Sequence, residues 1–205
     1  MASDITEVLA ANKAIERFRG FRHMVNFNPT NDAEVTTDLL KDPLVKANFK
    51  VLEEADVSFE LHLNPWQYPD ALEILKTVPN LRVIIDHRGS PSLADLNSEA
   101  YLAGMKLFAA LPNVHFKVSF FGFSTPTRNA AELALVVEKA QACINLFTPQ
   151  RCMFATNFPV DNHVDFGAWT MKDLEKTFTD IAAPFSAEER AYLWCGTALT
   201  VYRMN

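Results

Sequence analysis

Glycine is scarce in this 205-residue chain: there are six, and none falls in a GxGxxG or GK[S/T] pattern. The backbone loops that cradle nucleotide phosphates at the first turn of an open α/β sheet therefore have no counterpart. Cysteine is scarcer still, and Cys143, Cys152 and Cys195 stand singly rather than in paired spacings. That excludes a disulfide framework or a cysteine zinc knot, and the three read as buried free thiols in a reducing compartment. Positive charge is in deficit, with 19 Lys and Arg against 25 Asp and Glu for a formal net charge of −6. Phosphate backbones and anionic lipids need the opposite sign, so neither nucleic acid nor a membrane is an expected partner. Long apolar runs are missing as well. The opening stretch MASDITEVLAANKAIERF has early acids and no continuous hydrophobic segment, which reads as neither signal peptide nor membrane span. Cytoplasmic location is the resulting expectation.

What the chain does have is regular alternation. Hydrophobic residues make up 49% of it, enough for one sizeable core, and the expectation is a single domain over 1–205. Ser3 followed by Asp4 and Glu7 reads as an N-cap with an acidic first turn, opening a helix that runs to about Phe18. β-rich runs lie at 19–25, 57–63, 81–87, 113–119 and 151–157, and the stretches between them carry helical spacing. Asp42-Pro43 opens the helix before the second run, because proline is tolerated in a first helical turn. Further helices are expected near 69–78, 98–111, 130–147, 170–182 and 186–203. Strand and helix in alternation define an α/β protein with a parallel sheet.

Such a sheet either stays open or closes into a barrel. The missing glycine loop argues against the open form, and so do the strand ends. Arg22, His62, His87, Lys117 and Asn157 each sit near the C-terminal end of a run, where barrel active sites are assembled. Strand side chains alternate faces, so Glu60 and His62 share the inner face, as do His115, Lys117 and Ser119. Imidazoles converging at a barrel mouth suit a metal ligand, a base or an electrophile. His115 lies deeper in its strand and reads as structural; His23 is expected to face outward and His163 to lie in a loop. The expectation is an incomplete TIM-type (β/α) barrel of about five parallel strands with outer helices.

The segments RGFRH at 19–23, SFELHLNPWQ at 58–67, VIIDHRGSP at 83–91, PNVHFKVS at 112–119 and CMFATNFPVD at 152–161 carry a resemblance. In order and spacing the chain resembles the amidohydrolase-related family of TIM-barrel hydrolases, in its lactonase-like branch. The resemblance implies that His87 binds metal or polarises a substrate carbonyl, and that Arg22 contacts the substrate's carboxylate or hydroxyls. It places Asn157 where many members carry a water-activating aspartate, Lys117 at a polar position inside a strand, and His62 where glutamine is usual. His87, Asn157 and Lys117 are thus the catalytic candidates, with Arg22, His62 and Arg88 binding substrate.

Two departures from that family stand out. The five runs align with the family's strands four to eight, so the strand bearing its HxH metal motif has no counterpart, and no HxH occurs anywhere here. Asn157, being neutral, cannot act as an anionic ligand or an ordinary general base. Only His87 remains of the usual ligand set, so a divalent Zn or Mn ion would require completion from elsewhere, or a substitute site from His62, His87 and His115. An opened barrel also exposes two strand edges, which leads us to expect a homodimer or larger assembly over the open side unless residues 1–18 cover it. The absent strands are a natural loss or a shortened gene model. The leading reading is a hydrolase of a small lactone, ester or amide, possible without metal; the rival is a non-catalytic barrel that binds a small metabolite or serves as an assembly subunit.

Overall fold

The structure, a computed structural model, describes residues 5–29 and 37–204. Five strands, β1 (Gly20–Met24), β2 (Ser58–His62), β3 (Arg82–Ile85), β4 (Val114–Val118) and β5 (Cys152–Phe154), form one sheet in the order of the chain. Every neighbouring pair is parallel. A doubly wound sheet reverses its order at a switch point, whereas this one never does, which is the connectivity of a barrel segment. The expected α/β architecture is therefore the observed one.

Register fixes the two faces. Arg22 lies beside Glu60, Glu60 beside Ile84, Ile84 beside His115, and Lys117 beside Met153. This row is the inner face. Phe59, Leu61, Val83, Ile85, Val114, Phe116 and Cys152 alternate with it and face the helices, where they are buried in the main apolar core. The covering helices are α2 (Pro43–Glu54), α3 (Tyr68–Leu75), α5 (Glu99–Ala109) and α6 (Ala130–Phe147), with the four-residue α4 (Leu93–Leu96) between β3 and α5. Their starts are marked by side-chain caps: Asp42 accepts from Leu44 N, Ser98 from Ala100 N and Asn129 from Glu132 N, each satisfying an N–H that the helix itself leaves unpaired.

Several boundaries differ from the sequence expectation. Helix α1 (Ile5–Lys13) stops short of Phe18, and a turn in which Phe18 N bonds Ile15 O leads into β1; the expected Ser3 cap lies outside the described residues. Nor does α1 cover the open side. Ile5 and Leu9 join the outer core, and the helix rests on α2. It is the other end of the chain that reaches the inner face. After α7 (Met171–Ala182), α8 (Ala187–Ala191) runs through a π-type turn at Tyr192–Gly196 into α9 (Thr197–Val201), so the final helix of the sequence reading is interrupted by one wide turn. Val201 packs on Ile84 and Met153 with Ala198 and Tyr202 alongside, a small second core inside the sheet's curve. Ser58 Oγ donates to Val201 O at 2.9 Å and Arg203 Nη2 to Arg19 O at 2.6 Å, which pins that segment beneath β1 and β2. Cys143 and Cys152 are buried as expected, but Cys195 is exposed, because it lies on the outer side of the wide turn.

The last strand depends on a single side chain. Arg151, just before β5, donates to the carbonyls of Ala109, Leu111, Val114 and Phe147 at 2.8–3.2 Å. One guanidinium thus takes up backbone acceptors from the ends of α5 and α6 and from the start of β4. Arg151→Met is expected to cost about 1.5–3 kcal/mol, the range for hydrogen bonds to a charged group, read as a lower denaturant midpoint at unchanged slope. Arg151→Lys should recover only part of it, and a loss below about 0.5 kcal/mol for Arg151→Met would show that the clamp is redundant.

Candidate active site

At the C-terminal ends of β1 to β5 lies a cavity of about 710 Å³, lined among others by Arg22, His62, His87 and Asn157. Four of the six site residues expected from sequence are therefore together. Lys117 and Arg88 are not among the lining residues. Met24 and the rings of Phe120, Phe123 and Phe166 supply much of the remaining wall, so the cavity has a polar floor and an apolar side.

The floor is organised around Arg22. Its Nε lies 3.1 Å from Asp86 Oδ2, while its Nη2 lies 3.1 Å from His87 Nε2 and 3.4 Å from His62 Nδ1. A guanidinium has donors and no acceptor. Both imidazole nitrogens must then present lone pairs to it, so His87 carries its proton on Nδ1, which donates to Ser119 Oγ at 2.9 Å, and His62 carries its proton on Nε2. The two rings meet edge to face, 4.8 Å apart. Burial holds His62 down to about 4, with Arg22 adding to the effect, and holds His87 down to about 2, with His62, Arg22 and Lys117 contributing in that order. Both are neutral imidazoles near pH 7.

Asp86, which the sequence reading passed over, is the hidden partner. Alternation along VIID puts it on the same face as Ile84, and its side chain is 1% exposed. Lys117 Nζ reaches Asp86 Oδ1 at 2.9 Å and Glu60 Oε1 at 2.8 Å, and Tyr202 Oη also donates to Glu60. Burial raises the Asp86 carboxyl and Glu60 adds to this, while Lys117 and Arg22 pull the other way. Burial opposes the Lys117 ammonium too, yet Asp86 and Glu60 outweigh it and hold its pKa above the ordinary lysine value. Lys117 consequently lies outside the cavity lining, its ammonium paired with Asp86 and Glu60.

Arg88 is displaced for a different reason. Residues 87–90 are all left-handed, with φ of 54°, 59°, 75° and 54°, a conformation that costs non-glycine residues energy and persists only when its surroundings impose it. Tyr101 Oη donates to Arg88 O and Tyr68 Oη to Gly89 O; a Cβ on Gly89 would collide with that tyrosine hydroxyl. The Arg88 side chain, buried, donates to Ser119 O, Phe120 O and Ser124 Oγ. It clamps the turn against the loop after β4 and does not line the cavity, and β3 ends at Ile85, two residues earlier than expected. Asn157 is also left-handed, at φ 52°, and β5 stops at Phe154. Behind it the carboxyl of Asp161, a second residue missed in sequence, is pushed up to about 6 by burial against the opposing pull of the Asn157 side chain and Arg88.

The donor set does not fit a metal ion. Among the described residues no group of three His, Cys, Asp or Glu side chains is placed to hold one. His62 and His87 turn their lone pairs onto a guanidinium, a divalent cation would share that space with Arg22, and Asn157 is neutral. His115, the third member of the substitute site considered from sequence, sits at the level of Ile84 and does not line the cavity. His23 is half-buried and shares the helix-facing side of β1 with its register partner Leu61, as expected, although it is among the residues bordering the cavity.

A parallel (β/α) barrel segment with imidazole, guanidinium and amide groups at its strand ends is the framework of a barrel enzyme site. The chain belongs to the amidohydrolase family, whose model matches residues 4–204. It is 30% identical to an uncharacterized protein of Sinorhizobium fredii, y4mH, over 98% of this chain and 66% of that protein. It is 28% identical to the L-fucono-1,5-lactonase of Burkholderia ambifaria, over 92% of this chain and 62% of the lactonase. This chain thus spans about two thirds of the length of the first of these relatives and somewhat less of the second. A crystal structure of an amidohydrolase from Burkholderia multivorans with bound zinc superposes with a TM-score of 0.84 at 24% identity, covering 98% of this chain and 70% of that one.

The depressed histidines set a pH dependence. Between the folded values of about 4 and about 2 and the ordinary 6.5, the unfolded chain binds more protons at His62 and His87 than the folded one, so stability rises with pH and is lost on acidification below 6.5. Asp161, raised from 3.8 to about 6, and Asp86, also raised by burial, act in the opposite sense, while His23 and His115, lowered by burial, act with His62 and His87. The melting temperature is expected to fall from pH 7 to pH 4.5, and to fall less steeply in the His62→Gln/His87→Gln double variant. Equal slopes would mean that the imidazoles are not held neutral.

Proposed function

We propose that this pocket hydrolyses a small lactone or ester, with Arg22 as the group that meets the carbonyl or carboxylate oxygen. The observation that carries the reading is the guanidinium fixed at the cavity floor between Asp86, His62 and His87. Its charge and spare N–H groups are held in place before a ligand arrives, which is the arrangement that stabilises an oxyanion developing in acyl transfer. The tautomers give His87 an accepting nitrogen, so polarisation falls to Arg22, which stays anchored to Asp86 through Nε while its Nη2 hydrogen bond passes from His87 to the ligand oxygen; as water adds to the carbonyl carbon, His87 Nε2 takes its proton and returns it to the leaving oxygen when the acyl C–O bond breaks. Asn157 orients that water at the rim. The lactonase relative supports this class of substrate.

The rival reading, a binder without turnover, is favoured by one observation: the neutral Asn157 stands in place of an acid at the strand end. The assembly proposed from sequence also fits what is seen, since β1 and β5 each pair on one side only among the described residues, leaving edge groups that a second copy can cover. No helix among the described residues is long and apolar enough to cross a membrane, and the free cysteines fit the proposed cytoplasmic setting.

The test is a pH-stat assay of the chain on a panel of aldonolactones and aryl esters, with and without Zn²⁺ or Mn²⁺. Arg22→Met is expected to lower kcat/KM by about 10²–10³ as removal of an oxyanion donor does, and His87→Gln by about 10²–10⁴ as removal of a general base does. No turnover across the panel, with binding retained, would establish the rival.

A further inference from the structure

The apolar side of the cavity comes from the loops that follow β4 and β5. Phe120 and Phe123 supply it from the first loop, Val160 and Phe166 from the second. Phe123 is 38% and Val160 46% exposed, so both are open to a ligand. Exposed apolar side chains gathered around one cavity mark a binding surface. We infer that the pocket selects lactones and esters carrying an uncharged aryl or arylalkyl group, which packs on this wall while Arg22 holds the carbonyl oxygen. The inference rests on the proposed hydrolysis at Arg22 and His87 and narrows the substrate within it.

The wall is fixed by the backbone that carries it. Phe120 has a φ of 58°, a left-handed conformation rare for a bulky residue and kept only where neighbours impose it. Arg88 Nη2 supplies one such constraint by donating to Phe120 O at 3.0 Å. The ring of Phe121 goes into the core against Trp169 and Phe178, while that of Phe120 lies edge-on to the His87 imidazole with 5.2 Å between centroids. Phe120 in turn stacks with Phe123 at 5.7 Å and meets Phe166 edge-on at 5.0 Å. Gly122 permits this approach, since a Cβ there would collide with the Phe166 carbonyl. A contiguous aromatic surface therefore starts at the imidazole that takes the water proton and ends on the exposed ring of Phe123.

A substituent on a carbonyl held at Arg22 and His87 has this surface beside it. An aromatic ring gains there the offset and edge contacts that the three phenylalanines make with one another. A hydroxyl placed against the rings loses its water partners and receives none in return. A second carboxylate has no cation to meet: among the described lining residues Arg22 alone is a lysine or arginine, and burial lowers the pKa of His23, His62 and His87. An ammonium would be drawn to the ring faces, but no carboxylate stands among the described lining residues to offset its repulsion by Arg22. What remains is an uncharged apolar group.

γ-Phenyl-γ-butyrolactone and γ-butyrolactone, which differ by one ring, are assayed on the full chain by pH-stat, each rate divided by that of hydroxide hydrolysis to remove intrinsic reactivity. The phenyl lactone is expected to have the higher normalised kcat/KM by about 10- to 100-fold, the range for burying one aromatic group. Phe123→Ser should cut that preference about three- to tenfold, and Phe123→Leu, which keeps an apolar side chain, should cut it less. Equal values for the two lactones, a higher normalised value for glucono-1,5-lactone than for the phenyl lactone, or an unchanged preference in Phe123→Ser would overturn the inference while leaving hydrolysis at this pocket standing. Binding is read separately by calorimetric titration of 4-phenylbutanoate and butanoate. Tighter binding of 4-phenylbutanoate that Phe123→Ser weakens, without turnover of any lactone, would support the aryl seat and sink the hydrolase reading. Absence of both binding and turnover would overturn the two together.

Discussion

One buried carboxylate holds the inner face of this sheet together. Asp86 takes Arg22 on one oxygen and Lys117 on the other, and Lys117 passes the charge on to Glu60 and Tyr202. Two cations and two anions are balanced within a few ångströms, which is what makes the burial of Asp86, Lys117 and Glu60 tolerable. Without Asp86, Arg22 loses its carboxylate partner and Lys117 is left with Glu60 alone. The network reaches from β1 to β4 and down to the C-terminal helix, so it ties the register of the strands to the direction in which Arg22 points.

That direction governs the rest of the site. Because Arg22 is anchored from behind at Nε, its Nη2 faces the two imidazoles, fixes their tautomers and contributes to the loss of their protons. The cation that an imidazole pair would otherwise gather from solution is here a side chain. A structural neighbour carries zinc, whereas here the positive charge beside the two imidazoles belongs to the Arg22 side chain. The left-handed turn at 87–90 serves the same end: Arg88 and two tyrosines hold it, and it turns His87 and Ser90 toward one cavity.

Much of this was legible in the order of the residues. Alternation of short β-rich runs with helical spacing gave five parallel strands, and the absence of a glycine-rich loop favoured barrel connectivity; both hold. Inner-face parity placed Glu60, His62 and Lys117 correctly, since a period of two leaves no other choice once one residue of a strand is known to face inward. Arg22, His62, His87 and Asn157 were expected at one mouth and share it. Two of the expected site residues lie outside the cavity lining for a shared reason. Arg88 and Lys117 look like site residues because charge at a strand end is rarely buried, yet each is satisfied inside the fold by partners more than 25 positions away. Asp86 and Asp161 were passed over because nothing local distinguishes a buried acid from one in solvent.

The sequence by itself determined the layers, the strand order and the set of polar groups at the strand ends, because these follow from periodicities of two and 3.6 and from turn residues that act within a few positions. Only the tertiary structure decided which of those groups face the cavity, which way the imidazoles carry their protons, and that the C-terminal helix instead of the N-terminal one lies against the inner face. Those outcomes depend on distances between residues far apart in the chain, such as Arg22 and Asp86 or Glu60 and Tyr202. Electrostatic and hydrogen-bond energies change steeply over a single ångström, a scale that spacing along a chain does not encode.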